Sequence, residues 1–143
     1  MTGRPLLITD CDEVLLHMVA HFQAWLGDAH AIDFAFESGD FAEALTHRSS
    51  GERVAEDRVW PLLTDFFRGE MHRQTLVPGA VEALGRIGEV ADIVILTNLP
   101  DEAHSWRVDQ LAKHGIAHEI VCNRGGKGVP ARAIIEELLI RPI

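Results

Sequence analysis

A chain of 143 residues, 47% apolar and 24% charged, has the material for one compact domain with a buried core, which excludes general disorder. Its formal charge of −9 repels phosphate backbones and excludes nucleic acid as a general partner. Only Cys11 and Cys122 are present, and the apolar run before Asp10 is too short for a signal core or a membrane span. The expectation is therefore a cytoplasmic protein with reduced cysteines and no membrane partner.

Leu6-Leu7-Ile8 reads as a short buried strand opened by Pro5 and followed at once by acidic residues. From Val14 to about Leu26 the apolar positions Leu15, Val19, Phe22 and Leu26 recur at helical spacing, and Gly27-Asp28 is the expected stop. Residues 33–47 are ambiguous, with Phe34, Phe36, Phe41, Ala44 and Leu45 as core candidates. Glu52 to Phe67 reads as a helix carrying Val54, Val59, Trp60, Leu62, Leu63 and Phe66, and Pro61 is expected to kink or divide it.

After Val77-Pro78-Gly79 the character changes. A short helix is expected over Ala80–Ile87 and a buried β-branched strand over Ala91–Leu96. Asp101-Glu102 opens a helix that Gly115 stops. Glu119–Cys122 reads as a third strand, Gly125–Gly128 as a flexible loop, and Pro130–Leu139 as a last helix. Ile140–Ile143 reads as the first step of another strand. Alternation of strand and helix predicts an α/β fold, a doubly wound parallel sheet with helices on its faces. Residues 1–16 and 77–143 would form that core, and 17–76 a helical insertion.

In such folds reactive groups gather at the carboxyl ends of the strands. Those ends hold Asp10-Cys11-Asp12, then Thr97-Asn98, then 123–127. Of two carboxylates one residue apart, one can attack phosphorus and the other can move protons. A hydroxyl and an amide at Thr97 and Asn98 can hold phosphoryl oxygens, and Lys127 can neutralise charge. Magnesium would bridge carboxylate and phosphate oxygens, and with such help a small phosphorylated metabolite remains compatible with an acidic chain.

The series Leu6-Leu7-Ile8-Thr9-Asp10-Cys11-Asp12-Glu13-Val14-Leu15 resembles the first motif of the haloacid dehalogenase superfamily. Ile93-Val94-Ile95-Leu96-Thr97-Asn98 is similar to the second, Lys127 is placed like the third-motif lysine, and Pro78–Leu84 is similar to the return from cap to core. The resemblance implies a Rossmann-like core with a small helical cap over 17–76. It implies a magnesium-dependent phosphohydrolase acting on a small phosphomonoester, with Asp10 as nucleophile and metal ligand. Asp12 would be the general acid and base, with its backbone carbonyl on the metal; Thr97 would bind the phosphoryl group, and Lys127 would steady Asp10.

Members that cleave carbon–halogen bonds usually lack the second carboxylate, so Asp12 favours phosphoryl transfer. The family's fourth strand, with its acidic metal ligands, is not found in this sequence, which reaches Ile143 at Arg141-Pro142-Ile143. The expectation is a truncated core whose first strand has an uncovered edge open to homo-oligomer formation. A dehalogenase-type hydrolase and a catalytically incomplete binding module stay as alternatives.

Blander readings stand beside these. Asp10 and Asp12 suit a helix cap, Thr97–Pro100 a plain turn, and Lys127 a solvated loop, with Arg124 as its competitor for the same charge role. His17 and His21 have the spacing of a metal pair on the expected helix, but with no third ligand they read as surface or substrate-facing residues. Neighbouring negative charge opposes a Cys11 thiolate, so Cys11 reads as packing. Trp25, Trp60 and Phe66 read as helix packing before pocket lining.

Overall fold

In the computed structural model, which describes residues 3–35 and 40–140 (backbone alone for 138–140), the apolar run Leu6–Thr9 forms β1. The expected helix does not start at Val14. The amides of Val14, Leu15 and Leu16 all converge on the Cys11 carbonyl at 2.7–3.2 Å, and Glu13 takes the left-handed conformation, φ 65°. That tight turn feeds a two-residue strand β2 (Leu16–His17), and only then does α1 (Val19–His30) begin. Helix α1 runs through Gly27-Asp28 and ends on Ala31, left-handed at φ 51°.

Strands β3 (Ile32–Phe34) and β4 (Leu45–His47) pair antiparallel, Phe34 to Leu45 and Ile32 to His47. Phe36 lies outside the described residues. Helix α2 (Glu56–Glu70) starts later than the apolar spacing suggests, with Glu56 and Asp57 in its first turn, and stays one helix through Pro61. A short strand β5 (Thr75–Leu76) pairs with β2. Then come α3 (Ala80–Gly88), β6 (Asp92–Asn98), α4 (His104–Lys113), β7 (Glu119–Asn123) and α5 (Gly128–Ile140). Ile140 closes α5 instead of opening a strand, and Arg141–Ile143 lie outside the described residues.

The chain divides into two compact units, Met1–Leu16 with Leu76–Ile143, and His17–Thr75. The first holds a three-stranded parallel sheet in the order β1-β6-β7. Strand β6 is central, and its middle, Ile93–Leu96, is continuously apolar, as a strand buried on both faces requires. Ile93 and Ile95 point to one side and pack with Leu84 of α3 and Leu111 of α4. Val94 and Leu96 point to the other and pack with Ile134 of α5. The unit is thus mixed α/β, with helices on both faces of a parallel sheet. Among the described residues β1 is paired on one side only.

The second unit packs α1 and α2 with the β3–β4 pair. Phe22, wholly buried, meets Phe34 and Phe66 edge-on at ring separations of 5.5 and 5.3 Å and stacks with Phe41 at 5.7 Å. Trp25 and Phe66 belong to this core. Trp60 does not: it is 55% exposed and stacks on Phe41 at 6.0 Å. Among the described residues no helix is long and apolar enough to cross a membrane.

Candidate functional site

Every residue singled out for phosphoryl chemistry lies in the first unit, at the carboxyl ends of its strands. Thr9 stands opposite Ile95, so Asp10 and Cys11 leave β1 at the level of Leu96 and Thr97. Across β6, Thr97 pairs with Cys122 and Asn98 with Asn123. Parallel pairing with this register is what gathers side chains from far-separated stretches of sequence.

Asp10 is half-exposed. Its Oδ1 accepts from the Cys11 backbone N–H at 2.7 Å and from Lys127 Nζ at 2.9 Å. Lys127, not Arg124, is therefore the cation on Asp10, although 117 positions separate them in the sequence (127 − 10). The 2.7 Å bond from its own neighbour's amide pins the carboxylate's orientation, which leaves Oδ2 for other chemistry.

Asp12 is bound differently. Arg107 of α4, which has 0% exposure, donates from one terminal nitrogen to Asp12 Oδ1 at 2.9 Å and from the other to Cys11 Sγ at 3.5 Å. A buried guanidinium is costly unless it is matched by negative charge, and Asp12 supplies it. Sequence reasoning missed Arg107. On α4 its spacing to Gln110 and Leu111 marks the buried face, and an arginine there is the available signal.

Cys11 is the buried residue between the two carboxylates. Burial pushes its thiol up to about 12; the nearby Arg107 opposes that shift, and Asp12 and Asp10 add to it. A thiol held neutral to such a pH is no nucleophile, so it acts as packing in the core cluster that includes Leu15 and Leu111. Cys122 is also raised, chiefly by burial and then by Asp101.

Thr97 is wholly buried, and its Oγ1 has no hydrogen-bond partner among the described residues. An orphaned buried hydroxyl costs about 1–3 kcal/mol, so the site tolerates a local loss of stability here. Asn98 does not present a free amide. Its Nδ2 donates to the Gly125 carbonyl at 3.2 Å, and its Oδ1 accepts from Asn123 Nδ2 at 3.3 Å.

The structure thus brings Asp10 and Lys127 together and ties Asp12 to Arg107. It leaves Thr97 buried and unpartnered, and turns Asn98 toward the loop after β7. His17 and His21 do not form a helical pair: His17 lies in β2, and His21 of α1 meets Thr75 Oγ1 at 3.0 Å. Among the described residues no group of three or more His, Cys, Asp or Glu is placed to hold a metal ion. Asp10 and Asp12, which follow β1, carry carboxylate oxygens. These are hard ligands of the kind magnesium takes, with water and phosphate oxygens completing its shell. No protein-family model matches the sequence, and no curated protein matches it.

Proposed function

We propose that this chain is a phosphohydrolase of the haloacid dehalogenase type, built on a Rossmann-like core and acting on a small phosphomonoester. The observation that carries the reading is the Lys127–Asp10 contact of 2.9 Å at the carboxyl ends of parallel strands, with a second carboxylate two residues on.

Asp10 Oδ2 is the nucleophile. It attacks phosphorus, the bond from phosphorus to the ester oxygen breaks, and the leaving oxygen takes a proton from Asp12, which enters this step protonated and pairs with Arg107 as the carboxylate once the proton has left. The product is an aspartyl-phosphate on Asp10. Water then attacks phosphorus and gives its proton to Asp12, and the bond from phosphorus to Asp10 breaks to release phosphate. Lys127 stays on Oδ1 and offsets charge on the carboxylate and the incoming phosphoryl group. Arg107 orients Asp12 through Oδ1. The unsatisfied hydroxyl of Thr97 is the kind of donor a phosphoryl oxygen would engage. Magnesium, held by Asp10 and the Asp12 carbonyl, would supply charge neutralisation at the phosphoryl oxygens.

The test is hydrolysis of p-nitrophenyl phosphate by the purified chain with and without magnesium, beside Asp10→Asn. The expected result is magnesium-dependent turnover that the substitution abolishes. Turnover that survives in Asp10→Asn, or none in the unaltered chain, would overturn the reading, and the latter result would favour a phosphate-binding module.

A further inference from the structure

Lys127 reaches Asp10 from a loop that little else restrains. Gly125, Gly126 and Gly128 each have nothing within 4 Å of where a Cβ would stand, and Gly125 adopts φ +89°. Glycines with open space where a Cβ would stand carry high conformational entropy, so the loop needs other restraints to hold Lys127 in place. On the far side α5 offers one support, since the Ala131 N–H donates to the Lys127 carbonyl at 3.0 Å.

The near side is held by Asn123, the last residue of β7. Its Nδ2 lies 3.2 Å from the Gly125 carbonyl, 3.1 Å from the Gly126 carbonyl and 3.3 Å from Asn98 Oδ1. Asn98 Nδ2 donates to the same Gly125 carbonyl. Two amide hydrogens shared among three acceptors form a clamp that pins both glycine carbonyls to the ends of two neighbouring strands. The pairing of Asn98 with Asn123 in the β6–β7 ladder is what sets the two amides side by side.

Resting on the phosphohydrolase reading, we propose that Asn123 is a positioning residue, which fixes the glycine loop and thereby holds Lys127 on Asp10. Asn98 supports the clamp. Among the described residues Asn123 hydrogen-bonds to Asn98, Gly125 and Gly126 and not to Asp10 or Lys127, so its effect passes through the lysine.

The experiment is a double-substitution cycle in p-nitrophenyl phosphate hydrolysis: Asn123→Ala, Lys127→Met and the pair. Asn123→Ala is expected to lower kcat roughly tenfold and move KM less than about twofold, and to cost less than about twofold more once Lys127 is Met. An equal factor in both backgrounds, or an unchanged kcat, would overturn the proposal. If Asn123→Ala does not fold, Asn123→Asp, of the same shape but without the donor, takes its place with the same expectations. If the unaltered chain shows no Asp10-dependent turnover, the phosphohydrolase reading fails separately. The clamp is then decided by the backbone order parameters of Gly125 and Gly126. A fall from about 0.85 to below about 0.6 in Asn123→Ala supports it, and unchanged values overturn it.

Discussion

Arg107 carries a full charge at 0% exposure, and Asp12 is an anionic partner that offsets it at 2.9 Å. Truncating one partner of a buried pair leaves the other charge uncompensated, at a cost of about 3–5 kcal/mol, whereas neutralising both is far milder. Arg107→Met is therefore expected to lower the unfolding free energy by about 3 kcal/mol, and Arg107→Met with Asp12→Asn to recover at least about 1 kcal/mol of that. Urea unfolding at pH 7 measures both. Strict additivity, or a double variant worse than the single, would mean that the two residues are not a coupled unit. The carboxylates were legible because strand and acids are contiguous, from Leu6 to Asp12. Arg107 was not, because it stands 95 positions from Asp12, and a charged residue in an amphipathic helix normally faces water.

Helix α1 reverses the usual placement of glycine. Gly27 lies inside the helix, and the left-handed terminal position belongs to Ala31, which is exposed. Taking Gly27 as the stop follows ordinary capping, and the structure shows why it fails. A Cβ at residue 27 would come within 3.0 Å of an Arg48 guanidinium nitrogen, and Arg48 is the partner of Asp33 at 2.9 Å. Glycine there leaves room for a side chain from beyond the helix. Left-handed backbone costs a residue with a Cβ about 1 kcal/mol, so Ala31→Gly is expected to stabilise the protein by about 0.5–1 kcal/mol. Thermal unfolding should show an upward shift of a few degrees; a lower midpoint would mean that the methyl of Ala31 makes contacts that outweigh the strain. The same kind of backbone feature hid the start of α1. Leu15 and Leu16 keep helical spacing with Val19, but the Cys11 carbonyl collects three amides and Glu13 turns left-handed, which spends these leucines on a turn. Apolar periodicity reports burial and cannot distinguish a buried turn from a buried helix.

At the scale of the whole chain, two separate sets of buried residues matter most. The sheet unit is built on Ile93, Ile95, Val94 and Leu96, whose continuous apolar run announced a strand buried on both faces. Three strands in sequential order, however, show winding in one direction only, because reversal needs a strand beyond β1. The His17–Thr75 unit is built on stacked aromatic rings, and its strand pair was the part least legible in sequence, since strands of three residues are too short to show alternation. Of the three tryptophans, Trp25 and Trp60 lie in this unit and Trp106 in the sheet unit, so fluorescence weights the former and far-UV circular dichroism follows both. Phe22 and Ile95 are each fully buried, one in each unit, and truncation to Ala should cost about 3–5 and 2–5 kcal/mol respectively. Phe22→Ala is expected to move the fluorescence-detected urea midpoint more than the circular dichroism midpoint, and Ile95→Ala to do the reverse. Such a split means that each core stabilises its own unit. If each variant shifts both probes equally, the two cores unfold as one cooperative body, and the division of the chain at Leu16 and Thr75 marks a path of the backbone without marking a boundary of stability.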